Sequence, residues 1–198
     1  MRSLLVFMLC SLSCLMFGIT RTVSLDGTHQ YTSIQVAIDA CTNGDVISVY
    51  PGEYYENLNT NGHSITIQSQ YPTTQSDQTI NTTIIHGNNT NSCLLAENGE
   101  TIILNGFKLM NNDPVDLAVN FYNVFTYGNG IQITNSSAQV LNCIITNCIA
   151  RTAGALFFSG YNSYFRRFPG FFSIVMDSIP NKKNWGYSDE CLIQYNKL

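Results

Sequence analysis

Charge is what this chain most lacks: 11% of its 198 residues are charged, and residues 22–150 hold one basic side chain, Lys108, against ten acidic ones. Disordered chains and coiled coils are far richer in charge, and a nucleic-acid binder presents a basic surface, so those classes are excluded. There is no Cys-x-x-Cys pair, and His29, His63 and His86 stand at no zinc-ligand spacing to any cysteine. No metal or cofactor is therefore expected. Beyond residue 17 no apolar run approaches the roughly 20 residues that span a bilayer.

What the chain has instead is asparagine, 22 residues against 14 glycines, among short apolar runs. Low charge with frequent Asn, Thr, Ser and Gly points to an all-β protein with many turns. The first residues read as a targeting signal. Arg2 supplies the positive start, residues 4–17 are uncharged and largely apolar, and Gly18 and Thr20 offer small side chains at a cleavage site. A membrane anchor is the alternative, but the run is short for one. The expected organisation is a signal peptide at 1–22, a strand-built region at 23–158, and a C-terminal tail or cap at 159–198. The mature chain is expected to be secreted, with no membrane span.

Cys10 and Cys14 leave with the signal, and Cys41, Cys93, Cys143, Cys148 and Cys191 remain. An odd count leaves at least one thiol unpaired within a monomer. Buried thiols acting as small hydrophobes are preferred here to a disulfide framework. Asn81, Asn88 and Asn135 each open an N-x-S/T sequon and are expected on exposed turns.

One helix is legible at 33–42. Thr32-Ser33-Ile34-Gln35 reads as a capping box with Tyr31 and Val36 as a staple, and Ile34, Ala37, Ile38 and Cys41 form one apolar stripe. Asn43-Gly44 is expected to end it. From Val46 onward the pattern is of strands. Residues 65–68 and 131–134 alternate with period two, and 46–49, 102–104 and 140–141 are aliphatic. Pro51-Gly52, Asn61-Gly62, Asn98-Gly99 and Asn111-Asn112 punctuate them, Pro51-Gly52 suiting the centre of a type II turn. Val46, Ile65, Ile84, Ile103, Tyr122 and Leu141 recur at a 19-residue step, which suggests stacked coils of that length. The expected architecture is a right-handed single-stranded parallel β-helix, with the helix capping its first edge and Asn residues stacking at the bends. An antiparallel sandwich is the rival. The tail differs in kind: residues 157–198 hold 11 of the 23 aromatics, and 151–198 carry six basic and three acidic groups.

Leu25-Asp26-Gly27, residues 31–40, 44–49 and 51–57 together resemble the opening of right-handed parallel β-helix proteins of the pectin lyase-like superfamily, pectinesterases and NosD-type proteins among them. Residues 144–158 resemble, more weakly, the repeats of adhesin-like β-helix proteins. The resemblance implies the fold and a carbohydrate association, in a short or truncated member. The catalytic motifs of pectinesterases, with two aspartates, an arginine and a glutamine, are not found, and residues 22–150 lack the arginine that lyases of this kind use. Asp113 and Asp116 are the nearest carboxylate pair, in a Pro- and Asn-marked loop. The acidic strand region would repel anionic pectate. A neutral polysaccharide or cell-surface glycan is the better partner, stacking on Tyr54, Tyr55 or aromatics at 121–127, although alternate members of these pairs are expected to face inward. The reading is a non-catalytic exported module. The alternatives are a divergent carbohydrate-active enzyme of pectinesterase or polysaccharide lyase type, and an adhesin-like fragment binding a protein.

Overall fold

The computed structural model describes residues 18–87, 91–111, 130–146, 148, 156–159, 164–165 and 173–174. Expectations for residues 1–17, Asn88, Asp113, Asp116, the aromatics at 121–127, Cys191 and most of the tail lie outside them, and the expected signal boundary at residue 22 falls inside a strand, Thr20–Val23, that pairs with Val46–Val49.

The described strands form three sheets. The first holds β1 (Thr20–Val23), β2 (Val46–Val49), β5 (Thr66–Ser69), β8 (Thr101–Asn105), β11 (Ser137–Leu141) and β14 (Tyr164–Phe165), in that spatial order. The second runs β3 (Gly52–Tyr55), β6 (Thr83–His86), β9 (Lys108–Met110), β12 (Ile144–Thr146) and β15 (Ser173–Ile174). The third runs β4 (Leu58–Asn59), β7 (Leu94–Ala96), β10 (Ile131–Thr134) and β13 (Leu156–Ser159). From β2 onward the chain visits first, second and third sheets in turn, and the strand pairs are parallel. Each circuit thus lays one strand on every sheet. The fold is strand-rich and parallel, an arrangement compatible with a β-helix, and the rival antiparallel sandwich is excluded.

Parallel registry stacks like on like. In the first sheet Ile47, Ile67, Leu104 and Val140 are successive partners, all buried. Tyr54, Ile85, Leu109 and Ile145 form the corresponding column in the second, and Leu58, Leu94, Ile131 and Leu156 in the third. These columns meet in one apolar cluster. Burying each such aliphatic side chain contributes roughly 1.5–3 kcal/mol. The columns correct the expected 19-residue step. Their members are unevenly spaced, and Val46, Ile84 and Ile103 are half-buried on the outward faces. Circuits differ in length because connections differ: α2 (Tyr71–Thr74) and α3 (Asp77–Thr82) are both inserted between β5 and β6.

Asparagine serves the bends as expected. Asn61, Asn135 and Asn142 adopt left-handed backbone, and Asn142 Nδ2 donates to Asn105 Oδ1 of the adjoining circuit at 2.8 Å. Pro51-Gly52 is not a type II turn, because Gly52 lacks the positive φ that turn requires and instead opens β3. A Cβ at Gly52 would lie 2.8 Å from Cδ1 of the half-exposed Leu25 side chain, which would have to shift to admit it.

The helix α1 (Ile34–Asp39) is shorter than its sequence pattern, and Ser33 rather than Thr32 caps it. Ser33 Oγ accepts from Val36 N–H at 3.3 Å, while Glu56, from the first circuit, accepts from Ile34 N–H at 2.9 Å and Gln35 N–H at 2.8 Å. A carboxylate brought from another circuit thus does what the local box was expected to do. The shift also removes the staple, and Val36 is exposed. The helix ends at Ala40, before Asn43-Gly44. Ile34, Ala37, Ile38 and Cys41 all face the core as their spacing predicts.

Two buried carboxylates fasten the circuits. Asp45 accepts from Ile19 N–H at 2.6 Å and Thr42 N–H at 2.7 Å, and pairs with Arg21 at 2.5 Å. Burial pushes its pKa up, but these donors outweigh it and hold the pKa of Asp45 at about 2. Glu100 accepts from the hydroxyls of Thr60 and Ser136 and from Glu97 and Asn98 N–H, so it joins three circuits. Burial raises its pKa and these donors, outweighing it, lower it overall. Among the described residues no buried side-chain N or O lacks a partner.

Candidate functional site

Because side chains alternate along a strand, each sheet shows solvent a second set of columns. On the second sheet one outward row runs Glu53, Ile84, Lys108, Ile144, and the other Tyr55, His86, Met110, Thr146. Lys108, the lone basic residue of the middle of the sequence, sits on this face. Tyr55 is 64% exposed. Its hydroxyl donates to Glu53 Oε2 at 2.8 Å, and its ring lies 4.8 Å from the His86 ring at a tilt of 33°. His86 is tethered in turn, Nδ1 lying 2.7 Å from Gly87 O. A carbonyl only accepts, which assigns the proton to Nδ1. The tyrosine is therefore held at both ends while much of its ring meets water. The arrangement offers an apolar ring face beside a carboxylate and an imidazole.

Tyr54 is different. It points inward at 1% exposure, donates to Tyr50 O at 2.8 Å, and burial pushes its phenol up to about 12. It is a core residue and leaves the outward face to Tyr55, as strand alternation requires. The sequence singled out Tyr55 but missed its neighbours. Glu53 is two residues away and legible by alternation, whereas His86 and Lys108 arrive only through the register of β3, β6 and β9.

Of the described sequons, Asn135 is exposed on a left-handed bend. Asn81 departs from the expected turn. It is exposed but lies within α3, donating to Asp77 O at 3.0 Å, and the Thr83 hydroxyl of its sequon is buried and donates to Thr79 O at 2.8 Å. No group of three His, Cys, Asp or Glu side chains among the described residues is placed to hold a metal ion. No helix among them is long and apolar enough to cross a membrane. No protein-family model matches the chain, and comparison with curated proteins yields no match.

Proposed function

We propose that this chain is a right-handed single-stranded parallel β-helix of the pectin lyase-like kind, and that it acts as an exported, non-catalytic module that takes up neutral glycan on the outward face of its second sheet. Parallel strands joined by crossovers are right-handed in about 98% of cases, which supports the handedness. The cyclic visiting of three sheets under an N-terminal helix supports the fold, together with the resemblance at residues 25–57. The observation that carries the function is the exposed Tyr55 ring, braced by Glu53 and His86. Pyranose C–H faces pack on such rings, and the flanking carboxylate and imidazole hydrogen-bond to sugar hydroxyls.

The test is a glycan array followed by titration calorimetry with the best neutral oligosaccharide. Tyr55→Ala should weaken binding about tenfold, the loss of about 1.4 kcal/mol expected for one aromatic platform. Tyr55→Phe, which keeps the ring and loses the bond to Glu53, should weaken it less. Equal affinity in the wild type and Tyr55→Ala would remove the site. Methanol release from esterified pectin, or an unsaturated ultraviolet-absorbing product, would replace a binding module with an enzyme.

A further inference from the structure

At the first open end of the stack, the buried Asp45 carboxylate divides its two oxygens between two sets of donors. Oδ2 accepts from Arg21 at 2.5 Å, from Thr42 N–H at 2.7 Å and from the Thr42 hydroxyl at 3.1 Å. Oδ1 accepts from Ile19 N–H at 2.6 Å. Ile19 is held on its other side too, its carbonyl accepting from Val46 N–H at 2.9 Å, and Thr20 then pairs with Val46 to begin β1. A cut after Thr20, where small side chains at Gly18 and Thr20 would direct a peptidase, takes away the donor to Oδ1 and the acceptor of Val46 N–H. A cut after Thr22 also removes Arg21 and leaves a buried carboxylate without its cation. The fold therefore needs Ile19 in the mature chain. Signal cleavage in turn needs the apolar run at residues 4–17 upstream of the cut and a small side chain immediately before it. Of the two bonds between Phe17 and Ile19, the one that follows a small residue is Gly18–Ile19. It puts Met16, not a small residue, three positions before the cut, so the fold singles out this bond where the recognition pattern alone does not.

We propose that the signal is cut at the Gly18–Ile19 bond and that the new Ile19 ammonium group forms an ion pair with Asp45 Oδ1, fastening β1 to the stack. This rests on the export reading and goes beyond it by naming the bond and the group that receives the new terminus. Water adds across the peptide bond in the hydrolysis catalysed by a signal peptidase. Gly18 leaves as the carboxylate end of the released peptide, and Ile19 keeps the nitrogen, which takes up a proton as ammonium. One amide donor thus becomes a charged group with three N–H bonds, beside an oxygen already at hydrogen-bond distance. The other charged or titratable groups at this corner are Arg21, on the opposite oxygen, and Cys41, whose thiol burial pushes up and keeps neutral. Gly18 passes so close to Gly44 that a Cβ there would collide with Gly44 O, a clash that matters only if residue 18 is retained.

The full-length chain is expressed in a secretory host, and the exported protein is analysed by intact mass and N-terminal sequencing. The expected terminus is Ile19. Gly18→Ala, which keeps a small residue before the cut, should give the same terminus and an unchanged urea midpoint, because residue 18 has left the mature chain. An exported chain that begins at any other residue, or a lowered midpoint in Gly18→Ala, would overturn the proposal and leave export standing. An uncut chain retained in the cells would overturn both. The ion pair is read separately, from acylation of the α-amine against pH in the native and the urea-unfolded protein. The native midpoint should lie about one pH unit higher, with about tenfold slower labelling near neutrality, because the Asp45 carboxylate favours the ammonium form. Mere steric cover would slow the native reaction without moving its midpoint, so coincident midpoints would sink the ion pair.

Discussion

At the scale of single residues, the acidic side chains divide by environment. Glu53 stands in water beside Tyr55, whereas Asp45 is nearly inaccessible and surrounded by donors from three directions. That difference has a measurable consequence. The Asp45 carboxyl titrates at 3.8 when unperturbed and at about 2 in the fold. A lowered pKa means the folded state prefers the ionised form, so the stabilisation is fully present above about pH 4. It is lost as the pH falls through 2. Denaturant melts of the wild type and Asp45→Asn should differ by about 2 kcal/mol near neutrality and converge across that acidic window. A difference independent of pH between 5 and 2 would mean the carboxylate acts through shape alone.

At the scale of elements, α1 is too short to persist alone, since isolated helices of fewer than about 12 residues are marginal in water. Its stability comes from the stripe buried on the first circuit and from Glu56, which satisfies two of its otherwise unpaired N–H groups and the Ser33 hydroxyl at 2.8 Å. Glu56→Ala should destabilise the protein by about 1–2 kcal/mol in urea melts, and Glu56→Gln, which keeps an acceptor, by less. Equal losses in the two would show that the charge, not the acceptor, holds the helix. Strands show how far local pattern reaches. β10 falls on Ile131–Thr134, as period-two alternation indicates, because one strand's inside and outside depend only on its own residues. The uniform step failed because apolar residues are common enough to recur at many spacings, while circuit length depends on whatever each connection contains.

At the scale of the whole molecule, a stack of parallel strands has two open ends, each with unpaired backbone groups. At the first end β1 is the edge strand, and two features guard it. Arg21 takes the place in the inward column that Ile47 occupies one strand later, and α1 packs against β1, β2 and β4. A charge in the column and a helix across the edge both disfavour addition of another strand. Ala37→Asp, which puts a carboxylate into the fully buried face of α1, should lift the helix and give concentration-dependent association in sedimentation velocity. A monomer that stays monomeric at high concentration, with its strand content intact, would argue that β1 needs no cover.

By itself the amino-acid sequence determined what depends on neighbours a few positions apart. It specified strand-rich structure from low charge and alternation, the one amphipathic stripe on α1, the bends at Asn61 and Asn135, and the inward turn of one member of the Tyr54–Tyr55 pair. Only the tertiary structure decided which strands lie side by side. That is why the Glu56 cap, the Glu100 strut and the bracing of Tyr55 by His86 were not legible beforehand. Each joins residues separated by many positions, and its existence rests on the register of parallel strands. Connections of unequal length set that register, and no local periodicity encodes it.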